Sequence, residues 1–282
     1  MSSNKVLFVL GAYNAELAMV KRLLTAVGLP YTAATKDGKM VKTSANAYSA
    51  DGMSKAPETD QKMAFVECSV KGFEPVRVFE SLTRNPKEDL GSPEFFMGSS
   101  AIGQLVSALI NDPVFGGGRE AAEKLEPLLW EARLAAASEH YLSEAYHGRC
   151  PGVNPSALRL WRAMNRSEFM DKKPRELMDM ADAAVVELQQ CKSMELEGRM
   201  SVVLVDKYIP EMYEAAAIVG VAVMYSRSDK SSGKGSAKTK VSLINASPKV
   251  IEAWLKWARS SESGLEGVYG GPEKGYAGGF KA

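Results

Sequence analysis

The segment that most constrains the fold is Leu7-Phe8-Val9-Leu10-Gly11, an unbroken apolar run closed by a glycine and followed at once by a helical pattern. A run apolar at both parities reads as a strand covered on both faces, as in the middle of a parallel sheet. Gly11 breaks the run. Leu17, Val20, Leu23, Leu24 and Val27 then recur at helical spacing, and Gly28 with Pro30 stops the helix. A strand that runs directly into a helix opens a β-α-β unit, and ligands of open α/β sheets bind beyond the carboxyl ends of such strands. The turn from Gly11 to Glu16 is therefore the first candidate for a functional cleft. It lacks G-x-G-x-x-G spacing, so the dinucleotide fingerprint fails. Its backbone N–H groups and helix dipole favour an anion, and Asn14 and Glu16 could reach a metal ion.

The rest of the chain repeats strand and helix signals. Tyr31–Thr35, Met63–Cys68 and Pro75–Ser81 read as further strands, and a helix over about 99–110 is capped by Ser99 or Ser100. One long helix is expected over roughly 119–146, kinked near Pro127, followed by helices near 155–170 and 174–191. From about residue 198 a β-rich pattern starts again, with strands at 201–206, 221–226 and 239–244, helices at 211–219 and 248–259, and a glycine-rich tail at 269–280. The expected fold class is α/β: a doubly wound, mainly parallel sheet, a helical connector and a second, smaller α/β domain. The expected boundaries are 1–165, 166–197 and 198–282. A chain of 282 residues accommodates two cores at ~100–200 residues per domain.

Composition narrows the function classes. A formal net charge of +1 gives no broad basic footprint for duplex DNA. No apolar run approaches the ~18 residues that cross a bilayer, and no cleavage site follows the first apolar run. Cys68, Cys150 and Cys191 form no CxxC pair, and His140 and His147 are the only histidines, so neither a disulfide framework nor a His-rich zinc site is expected. These features together imply a reduced, cytoplasmic protein without a membrane anchor.

Acidic residues recur where strands end. Glu67 follows Met63-Ala64-Phe65-Val66 and Glu80 follows Arg77-Val78-Phe79, the placement by which hard cations are commonly held. Glu139 and His140 follow the small residues 134–138 of a helix, as a charged pair facing a cleft would; a histidine satisfied by its own helix is the alternative. Gly270, Gly271, Gly275, Gly278 and Gly279, with Lys274 among them, resemble a phosphate-cradling loop without the P-loop spacing. Tyr269, Tyr276 and Phe280 interleave with those glycines, which points to a docked segment and not a floppy end. Arg227, Lys230, Lys234, Lys238 and Lys240 could track a phosphate backbone, although that stretch holds no aromatic platform and also reads as a solvated hairpin loop. No Ser–His–Asp or Cys–His nucleophile is indicated.

Taken in order, these features resemble the DHH phosphoesterase superfamily with its C-terminal DHHA1 domain. That family combines a doubly wound domain bearing four acidic motifs, a helical connector and a smaller domain ending in a glycine-rich motif. Its inter-domain cleft holds two manganese ions and cleaves phosphoesters of nucleotides and oligonucleotides. The resemblance places the first motif, normally two aspartates, on Asn14 and Glu16, and the second on Glu67. The Asp-His-His motif falls on Phe79-Glu80-Ser81, with both histidines replaced. The helix that follows it falls on Ser99 and Ser100, the fourth motif on Glu139 beside His140, and the glycine motif on Gly270 to Gly279 without its histidine.

The resemblance thus implies a metal set of Asn14, Glu16, Glu67, Glu80 and Glu139, catalytic roles for Glu80, Glu139 and His140, and substrate contacts from Ser99, Ser100, Gly270, Gly271, Lys274, Gly275, Gly278 and Gly279. Each Asp-to-Glu change adds a methylene, and a two-metal cluster with ions ~3.5–4 Å apart would have to be rebuilt around it. Two classes stay open. One is a divergent phosphoesterase that uses Mn²⁺ or Mg²⁺ on a nucleotide or oligonucleotide. The other is an inactive DHH-like fold without a metal, serving as a nucleotide-binding or protein-interaction module. A Rossmann enzyme of the methyltransferase type, sharing only the first strand, turn and helix, is a weaker third.

Overall fold

The computed structural model describes residues 5–12, 14–58, 60–81, 92–228, 239–272 and 275–281, with only the backbone of His140. The fold is mixed α/β with two sheets. The described residues fall into two compact units. The first holds the chain through Tyr141 together with Cys150–Val153; the second holds Leu142–Arg149 and the chain from Asn154 onward.

In the first unit, β1 (Leu7–Leu10) runs parallel to β2 (Tyr31–Lys36) on one side and to β5 (Met63–Val66) on the other, and β5 is parallel to β6 (Arg77–Phe79). Two short strands, β3 (Lys39–Met40) and β4 (Gly52–Met53), pair antiparallel with β2. The chain leaves β1 toward β2 and later returns on the opposite side with β5, so the sheet reverses direction at the carboxyl end of β1. The two parities of β1 serve two cores, as its sequence requires. Leu7 and Val9 pack with Ala34, Val41, Ala47, Met63 and Phe65. Phe8 meets Phe79 and Phe115 at centroid separations of 6.2 and 5.7 Å. The helices of this unit are α1 (Ala15–Val27), the single turns α2 (Ser44–Ala47) and α3 (Phe96–Ser99), α4 (Ala101–Asn111), α5 (Arg119–Leu125) and α6 (Leu129–His140). α4, α5 and α6 all pack against α1.

The single helix expected over 119–146 is three pieces. Pro127 lacks an N–H, so α5 stops at Leu125 and a 3-10 turn, Glu126–Leu128, redirects the chain into α6. α6 ends at His140 because Tyr141 leaves helical geometry, buries its ring and places its hydroxyl 3.1 Å from the Ser99 hydroxyl. A separate short helix, α7 (Leu142–Tyr146), follows and belongs to the second unit.

In the second unit, α8 (Pro155–Met170) and α9 (Pro174–Gln190) pack on each other, and α9 packs on α10 (Met212–Val219). They group with the second sheet, whereas the sequence assigns them to the end of the first domain and to a connector. The apolar stripe Ala184/Leu188 of α9 explains this: it is buried against Ile209, Met212, Val223 and Tyr225. The sheet runs β11-β12-β10-β9-β8-β7, from β7 (Ser193–Leu196), β8 (Met200–Val205), β9 (Ala222–Ser228), β10 (Thr239–Ile244), β11 (Leu265–Gly271) and β12 (Tyr276–Lys281). Among the described residues of this sheet only β8 and β9 are parallel. β7 is absent from the sequence reading because its mostly exposed residues give no apolar signal. α11 (Pro248–Ala258) covers one face of this sheet with Ile251, Trp254 and Leu255 against Val241, Leu243 and Ala277. No helix among the described residues is long and apolar enough to cross a membrane.

Candidate functional site

The carboxyl ends of β1, β5 and β6 and the N-terminus of α4 meet at one edge of the first sheet. Gly11 continues the β1 ladder by donating to the Val66 carbonyl at 3.0 Å. Any side chain at Gly11 would collide with the Glu67 carbonyl, so the ends of β1 and β5 approach as closely as they do only because this residue is glycine. Asn14 caps α1, its Oδ1 accepting from the Leu17 N–H at 2.8 Å. At the α4 end, Ser100 caps the helix by accepting from the Gly103 N–H, and the Ala101 N–H donates to the Ser81 hydroxyl. Gln104 fastens α4 to the end of β6 through the Glu80 carbonyl at 2.8 Å.

Glu16 is the unusual group here. Its spacing on α1 turns it inward, and it is 2% exposed. Burial, then the nearby charges of Glu139 and Glu67, raise its pKa well above the usual carboxylate range, against a lowering hydrogen bond from the Ile102 backbone N–H. Among the described residues its buried Oε1 has no hydrogen-bond partner. Burial and the like charges thus favour its neutral form. It accepts from the first turn of α4, a place where anions are ordinarily favoured.

Glu67 is held differently. Its backbone is left-handed (φ 51°), and its carboxylate accepts from the Tyr48 hydroxyl at 3.0 Å and from the Ser81 N–H at 2.6 Å. Burial, then Glu67, raise the Tyr48 hydroxyl above its usual range, so it stays a donor. Beside it, burial pushes the Cys68 thiol up to about 12, and its Sγ donates to the Val9 carbonyl, which makes it an inert core thiol.

The sequence-derived site residues therefore gather in part. Glu139 and Glu67 come close enough for their charges to act on Glu16, and Glu80 acts on Tyr48 from the exposed end of β6. Glu139 and His140 end α6 where the sequence placed them mid-helix, and Glu139 is half-buried. Among the described residues, no three His, Cys, Asp or Glu side chains are grouped to hold a metal ion. Asn14 is committed to its cap and both Glu67 oxygens to protein donors, so these residues do not fit the two-metal centre that the resemblance implies. Ser99 and Ser100 are buried, and their hydroxyls serve Tyr141, the backbone carbonyls of residues 95–97 and the α4 cap.

The glycine tail is a hairpin where a loop was expected. Gly270 and Gly271 end β11, Gly275 lies in the turn, and Gly278 and Gly279 sit inside β12, between β10 and β11. Gly278 is explained by packing: the Tyr269 ring lies over it where a Cβ would stand. Lys274 and the lysines at 230, 234 and 238 lie outside the described residues.

The sequence reading missed a charged cluster in the second unit. Glu214 is 4% exposed and Glu211 7%. Arg162 donates to Glu214 through Nε and Nη2, the latter at 2.8 Å, and Arg166 reaches Glu211 at 2.6 Å and Glu214 at 3.3 Å. The Tyr146 hydroxyl also donates to Glu214. Burial works to raise the Glu214 pKa, yet Arg162, Tyr146 and Arg166 outweigh it and hold it below the usual range. The signal was present in the spacing: arginines four apart on α8 and glutamates three apart at the start of α10.

No protein-family model matches the chain, and no curated protein matches it. Among solved structures it is similar to a pGpG-specific phosphodiesterase, PggH from Vibrio cholrae, with a TM-score of 0.46 and 14% identity over 99% of this chain and 94% of that one.

Proposed function

We propose that this chain is a DHH-like nucleotide-binding protein that works without a metal centre, binding having replaced hydrolysis. The observation that carries the proposal is that residues on which the family's metal motifs fall are engaged by the protein itself: Asn14 caps α1, Glu67 accepts from Tyr48 and Ser81, and Glu16 is buried. A hard cation needs several carboxylate oxygens free to converge on it. The order of motifs along the chain supports a nucleotide or short oligonucleotide as ligand. A protein partner is the other occupant consistent with an inactive fold.

The test is a pair of measurements on the full chain. Dialysis against millimolar Mn²⁺ followed by elemental analysis should find less than one ion per chain, and bis-p-nitrophenyl phosphate or a dinucleotide should stay intact. A thermal-shift series with nucleotides and dinucleotides should show stabilisation without added metal. Hydrolysis that requires Mn²⁺ and dies on Glu80→Ala would overturn the proposal. It would favour the divergent phosphoesterase instead, a reading supported by the gathering of Glu16, Glu67 and Glu139 from separate elements.

A further inference from the structure

The antiparallel hairpin of α8 and α9 has its register fixed from inside. Arg159 donates to the Met178 carbonyl at 2.8 Å and pairs with Asp182 at 2.7 Å, so it stands level with Met180, midway between them. Three residues on along α8 and three back along α9, Arg162 is level with Leu177. One side of each helix is turned into the second unit. Arg162 and Arg166 reach Glu214 and Glu211 at the start of α10, and Ala184 and Leu188 share a core with Met212.

The opposite sides form the outer face of the hairpin, which amphipathic patterning would make polar throughout. On α8 that side carries Ser156, Leu160, Met164 and Ser167, with Leu160 49% and Met164 55% exposed. On α9 it carries Arg175 and Asp179, both exposed and without an ion pair among the described residues. Single exposed apolar side chains are ordinary; the centring of these rows is not. Leu160 and Met164 lie symmetrically about Arg162, and Arg175 and Asp179 symmetrically about Leu177. Those two centres are level. One twofold axis across the hairpin therefore sets Leu160 against Met164 of a second copy and, at the same time, Arg175 against Asp179 of that copy. Each contact is made twice, as an isologous interface requires. Ser156 meets Ser167, and neither row sets like charges against one another.

We infer that a second copy of this chain docks on the outer face of the α8–α9 hairpin, the two hairpins packing as an antiparallel four-helix bundle. The charge pattern selects this occupant. A row of one sign would call for a different partner of the other sign, whereas Arg175 and Asp179, placed symmetrically about the axis, complement a copy of themselves. Burial of Leu160 and Met164 drives the contact, and the reciprocal ion pairs fix its direction. The inference goes beyond nucleotide binding and does not depend on it.

The experiment is sedimentation equilibrium of the full chain across a concentration series, which should show a monomer–dimer equilibrium. Met164→Glu puts a charge on the apolar seam and should raise the dimer dissociation constant by at least about tenfold. Arg175→Glu and Asp179→Arg should each weaken the dimer, because each sets like charges against one another. The two together exchange the signs and should restore it. All three side chains are exposed, and circular dichroism confirms that the variants are folded. A chain that stays monomeric at every concentration overturns the inference, whatever other protein it captures. A dimer indifferent to Met164→Glu has its contact elsewhere and overturns it as well. Single reversals that weaken the dimer without recovery in the double variant overturn the antiparallel pairing.

Discussion

In the first unit Glu16 lies buried with Glu139 and Glu67 as the charges acting on it, whereas in the second Glu211 and Glu214 are buried to a similar depth but face Arg166 and Arg162. Burial pushes Glu16 and Glu214 the same way, and their pKa values nevertheless move apart: Glu16 upward, Glu214 downward. The sign is decided by partners and not by depth. Glu214 has donors on both oxygens and stays charged, binding α7, α8 and α10 together. Among the described residues Glu16 has one backbone donor and an oxygen without a partner, which favours its neutral form. The second arrangement locks helices together; the first favours a neutral carboxyl at the edge where ligands of such sheets bind.

The largest expected effect comes from breaking the paired side of this contrast. Arg162→Ala leaves Glu214 buried with only Arg166 and Tyr146, and removing one partner of a buried pair costs about 3–5 kcal/mol. Urea unfolding at neutral pH measures it. A cost below about 1 kcal/mol would mean that the cluster is solvated in solution and the contrast with Glu16 is empty. The cluster's share of stability is present above the unfolded carboxylate pKa and is lost as pH falls through the depressed pKa of Glu214.

Glu16 has the opposite sign. Its raised pKa means that the folded chain binds a proton the unfolded chain has released, so stability falls as pH rises from the unfolded carboxylate pKa toward the folded one. Glu16→Gln keeps a neutral, hydrogen-bonding side chain of similar shape and removes that slope. The variant should match wild type at acid pH and gain on it as the pH rises toward 8. Parallel melting curves from pH 4 to pH 8 give the answer. A difference that stays constant with pH, or wild type gaining stability as pH rises, would show that Glu16 is ionised in the folded chain and return it to the list of metal ligands.

How much of this was legible in the sequence follows from what each feature depends on. β1, Gly11 and α1 were readable because a doubly buried strand, a glycine at a close approach and an amphipathic helix are each set by local pattern. The positions of Glu67 and Glu80 at strand ends were readable for the same reason. The protonation of Glu16 was not, because it depends on α4 arriving over α1 and on Glu139 from α6, many residues downstream. The glycine tail misled because glycines spaced to cradle a phosphate look the same as glycines that let Tyr269 lie across a strand. The break at Tyr141 was hidden because its cause is a hydroxyl contact with Ser99, 42 residues away.

Glu67 lies between the two extremes and gives the finest test. It is half-buried, and each oxygen has one donor, Tyr48 and the Ser81 N–H. Tyr48→Phe removes one of these without disturbing the ring's packing. Because Tyr48 is 41% exposed, water can replace the lost donor, and the expected cost is about 0.5–1.5 kcal/mol. The titration of Glu16 should scarcely move, since Glu67 ranks behind burial and Glu139 among its causes. Chemical denaturation of Tyr48→Phe alone and combined with Glu16→Gln measures both quantities, with additive costs expected. A loss near that of Arg162→Ala would place Glu67 with the locked carboxylates of the second unit. A strong coupling to Glu16→Gln would instead make Tyr48, Glu67 and Glu16 one proton-sharing network across the carboxyl edge of the first sheet.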